Sequence, residues 1–287
     1  MSKAREIQQT FTSKPTLEGA GVHLKRAFGF GQTSLFDPFL MLDDFRSDNP
    51  EDYRKGFPWH PHRGIETITY VLSGDVEHSD SLGNKGVISS GDAQWMTAGS
   101  GIIHQEMPLG DPEGRMEGFQ LWVNLPASDK MMDPRYQNVT AADIPVAALP
   151  SGAEARVICG EAVGVRGPVH NIVTDPQYLD ISVPANSRLE HPAEPGHTVL
   201  AYVISGRGYF YEGKSALLGN ESLVLFGDGD EVVITTEDEP VRFLLLSGMP
   251  LREPVVWHGP IVMNTDEELQ TAFKEYDMDE FVKHKKE

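Results

Sequence analysis

The chain has 287 residues, 39% of them hydrophobic and 23% charged, enough apolar material for a sizeable packed core. This composition excludes a disordered chain, a collagen-like chain and a bundle of membrane helices. With 24 Lys and Arg against 43 Asp and Glu, the formal net charge is −19, a balance that repels phosphate backbones and sets direct nucleic-acid binding aside.

The opening Met1-Ser2-Lys3-Ala4-Arg5-Glu6 has no apolar core of the kind a signal peptide needs. The first chemistry-bearing segment is Gly56-Phe-Pro-Trp-His60-Pro-His62-Arg-Gly-Ile-Glu66, running into an apolar stretch from Ile65 to Leu72. The second is Gly91-Asp-Ala-Gln-Trp-Met-Thr-Ala-Gly-Ser-Gly101-Ile-Ile-His104-Gln-Glu106. Further β-branched and aromatic runs follow at Phe119 to Val123, Leu179 to Val183, Val199 to Ile204, Leu223 to Phe226, Val232 to Thr235 and Val241 to Leu246. Short runs bounded by Gly and Pro at this spacing predict an all-β sandwich or barrel. The segment from Pro126 to Pro150, rich in Pro, Ala and Asp, reads as a connection between two halves. Thr265-Asp-Glu-Glu268 is a capping box, followed by Leu269, Phe273 and Tyr276 at helical spacing. The densest basic run, Lys283-His284-Lys285-Lys286, reads as a frayed tail.

The single cysteine, Cys159, cannot form an intrachain disulfide, which fits a reducing compartment. The apolar run Phe243-Leu244-Leu245-Leu246 is far short of the ~20 residues that span a bilayer. A cytoplasmic protein with no membrane partner is expected.

Two stretches look alike. Tyr70-Val-Leu-Ser-Gly74 recurs as Tyr202-Val-Ile-Ser-Gly206, and Gly91-Asp92 has a counterpart in Gly229-Asp230. The repeat predicts two β-barrels of one kind. The same offset sets Pro192 opposite His60, Glu194 opposite His62 and Thr198 opposite Glu66. The second barrel is therefore expected to lack the histidines of the first.

Alternate residues of a strand share a face, so His60 pairs with His62 and His104 with Glu106. Side by side, the two strands would bring three imidazoles and one carboxylate to a point. Such a set suits Fe(II), Mn, Ni, Cu, Zn or Co; Ca and Mg prefer oxygen. Four protein ligands leave a position open on a five- or six-coordinate ion, the mark of a catalytic centre. The remaining histidines read as ordinary core or surface residues. Glu66 reads as a ligand or as a partner holding an imidazole.

The HxHxxxE spacing, Gly74, the Gly-Asp turn and the later histidine resemble the two metal motifs of the cupin superfamily. The longer wording is similar to the pirin family: Asp37-Pro38-Phe39-Leu40, Phe57-Pro-x-His60-Pro-His62-Arg63-Gly64-x-Glu66-Thr67, Gln94-Trp-Met-Thr-Ala-Gly99, His104-x-Glu106-Met-Pro108 and Leu121-Trp-Val-Asn-Leu125. Pro250-Leu-Arg-Glu-Pro254 and His258-Gly-Pro-x-Val-Met-Asn-Thr265 agree with it. The resemblance implies an all-β fold of two tandem cupin barrels (double-stranded β-helix, jelly-roll) with a short terminal helix. Residues 1–138 would form the metal-binding barrel, and residues 139–287 a second barrel without ligands that carries the helix. It implies one divalent metal, iron above the others, held by His60, His62, His104 and Glu106, with Glu66 behind them. It further implies a quercetin 2,3-dioxygenase-like activity that opens a flavonol with O2 and releases carbon monoxide, with Glu106 as general base. Phe57, Trp59, Trp95, Met96 and Met107 are the candidate walls of a flat substrate slot. The alternative is a non-enzymatic, iron- and redox-dependent regulator that docks a protein partner. By analogy with the family a monomer is expected.

Overall fold

The runs read as strands are strands. The computed structural model describes residues 2–214 and 216–284, so Lys285 and Lys286 of the basic run lie outside the described residues. In chain order the first twelve strands are β1 (Ile7–Thr12), β2 (Lys14–Glu18), β3 (Val22–Phe28), β4 (Phe39–Asp44), β5 (Phe57–His62), β6 (Ile65–Ser73), β7 (Val76–Asp80), β8 (Lys85–Ile88), β9 (Ala93–Thr97), β10 (Ile102–Pro108), β11 (Glu117–Asn124) and β12 (Arg135–Val139). From β2 onward they build two antiparallel sheets. One has seven strands in the order β12-β9-β6-β11-β4-β3-β2, the other four in the order β5-β10-β7-β8. Pro58 and Pro61 are tolerated because β5 is an edge strand of the smaller sheet.

The second barrel is built on Gln177–Val183, Thr198–Tyr209 and Val241–Gly248. Its core is a large apolar cluster, in which Leu179, Ile181, Val203, Phe243 and Leu245 pack together at 0% exposure. The repeat seen in the sequence has a structural meaning. Tyr70 and Tyr202 are both buried in central strands. Gly74 and Gly206 follow with φ of 91° and 66°, the left-handed region that glycine enters without strain. A Cβ on Gly206 would lie 1.9 Å from the carbonyl oxygen of Pro240, so no other residue fits there.

Contacts group residues 14–141 with 251–287, and residues 1–13 with 142–250. The expected division into 1–138 and 139–287 differs from this grouping at both ends of the chain. Strand β1 pairs with Ser222–Phe226 of the second barrel. Buried Arg5 ties the preceding residues there, donating to the carbonyls of Glu194, His197 and Gly227.

The terminal helix, Asp266–Asp277, starts as its capping box predicts: Thr265 Oγ1 accepts from Glu268 N, and Glu268 Oε2 accepts from Thr265 N. It groups with the first barrel, not the second. Arg63 is the reason. Its guanidinium, 2% exposed, donates to Ser100 O and Phe281 O, pairs with Glu275 at 2.8 Å and lies over the Phe281 ring. Among the described residues no helix is long and apolar enough to cross a membrane.

Candidate metal centre

Strand β5 pairs antiparallel with β10, setting His104 opposite His60 and Ile102 opposite His62. A bulge between His104 and Glu106 shifts the register, so Glu106 faces Phe57. The chain then turns sharply after His62. Gly64 makes this possible with φ of 78°; a Cβ there would meet Val262 O at 2.0 Å.

The three imidazoles converge. His60 Nε2 lies 3.0 Å from His62 Nε2 and 3.0 Å from His104 Nε2. His60 Nδ1 is 2.8 Å from Pro58 O, and His62 Nδ1 is 3.1 Å from Pro260 O. Carbonyl oxygens only accept, so both Nδ1 atoms carry the proton, and both Nε2 lone pairs point inward. Burial lowers the pKa of all three rings, that of His62 and His104 far below the usual value, and keeps them neutral. Lone pairs this close repel one another unless a cation sits among them. These three residues form a group that could hold a metal ion.

Glu106 Oε2 is 4.0 Å from His104 Nε2. Burial without a countercharge pushes the Glu106 carboxyl up to about 7, opposed by the Thr69 hydroxyl, which donates to Oε1 at 2.9 Å. A cation among the imidazoles would supply the missing charge. The donor chemistry therefore fits a transition ion on two counts.

Glu66 sits elsewhere. The strand that would have put it on the face of His62 breaks at Arg63-Gly64, and Glu66 Oε1 accepts from Thr97 Oγ1 at 2.6 Å in β9. Burial raises its pKa, with Thr97 and nearby Trp95 pulling it back. Among the described residues its bonded partner is this threonine, not an imidazole.

His60, His62 and Glu106 open onto a cleft of about 590 Å³, lined also by Phe57, Trp59, Phe30, Trp122 and Trp257. This size is typical of small-molecule sites, about 300–1,000 Å³. Trp95, Met96 and Met107 do not line it. Trp95 takes the opposite face of β9 from Gln94, Met96 packs with Ile65, Ala98 and Ile102, and Met107 lies against the Gly56 turn.

One row of the larger sheet escaped the sequence reading. Arg26, Asp43, Gln120, Thr69, Gln94 and Asn138 stand opposite one another across β3, β4, β11, β6, β9 and β12. They form a polar row on one face of the sheet, buried at Asp43, Thr69 and Gln94 and exposed at Asn138. Arg26 forks onto Asp43 at 2.8 and 2.7 Å and reaches Glu18 at 2.9 Å. Thr69 joins Gln120 at 2.7 Å, while Gln94 links Asn138 with buried His78. His78 itself stands opposite Glu106 in the smaller sheet.

Residues 21–123 match the Pirin family model and residues 178–282 the model of the pirin C-terminal cupin domain. A pirin-like protein of Caulobacter vibrioides is 44% identical over 279 residues, covering 96% of this chain and 99% of its own. The chain belongs to the pirin family. Human pirin is 38% identical over 96% of this chain and 93% of its own length. Among solved structures, quercetin 2,3-dioxygenase from Acinetobacter baumannii superposes with a TM-score of 0.87 at 32% identity, covering 97% of this chain and 98% of that one. The two-cupin architecture of the pirins is thus the fold of this chain.

Proposed function

We propose that this pirin is a metal-dependent dioxygenase that opens a flavonol such as quercetin with O2 and releases carbon monoxide. The observation that carries the reading is the meeting of three neutral imidazoles and a buried carboxylate at an aromatic-lined cleft. The similarity to quercetin 2,3-dioxygenase from Acinetobacter baumannii supports the same reaction class.

His60, His62, His104 and Glu106 would hold one divalent ion. Iron(II) is the resident metal proposed, and the donor set also accepts Mn, Ni, Cu, Zn or Co. When bound, such an ion would acidify a ligated hydroxyl, and a redox-active one such as iron would also supply the one-electron chemistry that O2 requires. The protein does the rest. Pro58 O and Pro260 O hold two imidazoles in the ligating tautomer. Glu106 takes the proton of the flavonol 3-hydroxyl on a carboxylate oxygen, while Thr69 holds the other oxygen in place. Phe57, Trp122 and Trp257 offer flat apolar walls that exclude water from the electron-rich enolate.

The test is elemental analysis of the purified protein, then O2 uptake with quercetin, metal by metal. Uptake by wild type and its loss in His104→Ala and Glu106→Ala is expected. A tightly bound metal with no uptake would instead favour a regulator that docks a protein partner.

A further inference from the structure

The dioxygenase reading leaves the polar row of the cleft without a task. Polar side chains inside a barrel are costly unless paired, and four of these, Arg26, Asp43, Gln120 and Thr69, line the same cleft as the histidines. Their pairing leaves more acceptor than donor capacity. Three of the five Arg26 N–H donors are directed at two carboxylates, Asp43 at 4% exposure and Glu18 at 40%. A carboxylate offers about four acceptor sites, so both acids keep capacity after satisfying Arg26.

Gln120 adds to this surplus. Thr69 has one hydroxyl proton but lies within bonding distance of both Glu106 and Gln120. The structure sets Gln120 Oε1 against Thr69 Oγ1, but one hydroxyl proton cannot serve both acceptors; with that proton on the Glu106 carboxylate, the Gln120 amide is assigned the flipped orientation, its NH2 donating to Thr69 Oγ1. The carbonyl oxygen of Gln120 is then the atom left for a ligand.

We propose that Glu18, Asp43 and Gln120 are specificity-determining residues that accept hydrogen bonds from the ring hydroxyls of a polyhydroxylated, uncharged flavonol. The proposal rests on the flavonol reading of the same site. Two strand spacings, about 10 Å, separate Thr69 beside Glu106 from Asp43, so a flat molecule anchored near the histidines reaches the acceptors with a distal ring. An aromatic carboxylate is disfavoured, because Glu18, Asp43 and Glu106 face it with one guanidinium already engaged.

The experiment compares quercetin with 3-hydroxyflavone, which keeps the 3-hydroxyl but has no hydroxyl on its outer rings. Both are titrated into zinc-loaded, redox-inert protein while quenching of tryptophan fluorescence is followed. Wild type is expected to bind quercetin at least about tenfold more tightly. Glu18→Gln and Gln120→Leu are each expected to shrink that ratio by about threefold or more, the first while keeping side-chain shape. Equal affinity in wild type, or a ratio unchanged in both variants, overturns the proposal even if the iron protein consumes O2 with quercetin. A preference lost in the variants supports it even if no O2 is consumed, in which case the dioxygenase reading alone fails. Failure of both flavonols to bind overturns both.

Discussion

His62 donates its Nδ1 proton to the carbonyl oxygen of Pro260, 198 residues further along the chain. A ligand of the candidate centre is therefore oriented by the segment that follows the second barrel. Next to it, Arg63 binds that same segment through Phe281 and Glu275.

Arg63→Ala is expected to destabilise the first barrel by about 3 kcal/mol, because the buried carbonyls of Ser100 and Phe281 lose their donor and Glu275 is left with Lys283 alone. All four tryptophans lie in residues 14–141 and 251–287, so their fluorescence reports this unit alone. A denaturation midpoint by tryptophan emission that does not move would contradict the role given to Arg63.

Metal binding should stabilise the folded chain by mass action. Chelation is expected to lower the Tm of wild type. His62→Ala and His104→Ala, each removing a convergent Nε2, should show no such dependence on metal and retain none in elemental analysis. A variant that keeps a full equivalent of metal would remove that histidine from the ligand set.

Thr69→Val removes the hydroxyl that holds Glu106, and metal affinity is expected to fall about 10–100-fold. Thr69→Ser restores the donor and should recover most of it. Competition with a chelator of known affinity measures both. Equal loss in the two variants would point to packing, not to the hydrogen bond.

The second barrel carries its own acid sensitivity. His191 is 2% exposed with Nε2 at 3.3 Å from Gln177 Oε1, and burial lowers its pKa to about 4. Unfolded, it titrates near 6.5 and binds the proton that the folded state refuses, so stability falls as pH drops from about 6.5 to about 4. The loss amounts to about 3 kcal/mol. His191→Gln, uncharged at either pH, should lack this part of the slope in unfolding followed by far-UV circular dichroism at pH 4.5 and pH 7.5. Identical slopes would show that His191 does not carry it.

The histidine cluster was legible because strand alternation alone puts His60 with His62 on one face, and the HxE segment supplied the neighbouring strand. The strands themselves stood out as β-branched runs, and the repeated Tyr-Val-x-Ser-Gly marked equivalent central strands. The polar row was not legible. Thr69, Gln94 and Gln120 occupy inward positions where pattern reading expects apolar residues, so they pass for solvent-facing ones. Trp95 and Met96 misled for a related reason: closeness to the ligands in sequence says nothing about which strand face a side chain takes. Trp257 and Pro260 enter the site through a return of the chain that no local pattern announces.

That return has a consequence in time. During synthesis β5 and β10 emerge with their histidines early, and N-terminal elements fold first. The carbonyl that sets the His62 tautomer, and Phe281 that anchors Arg63, are translated only after the entire second barrel. A metal held by these histidines is therefore expected to load only after residues 260 and 281 have been translated.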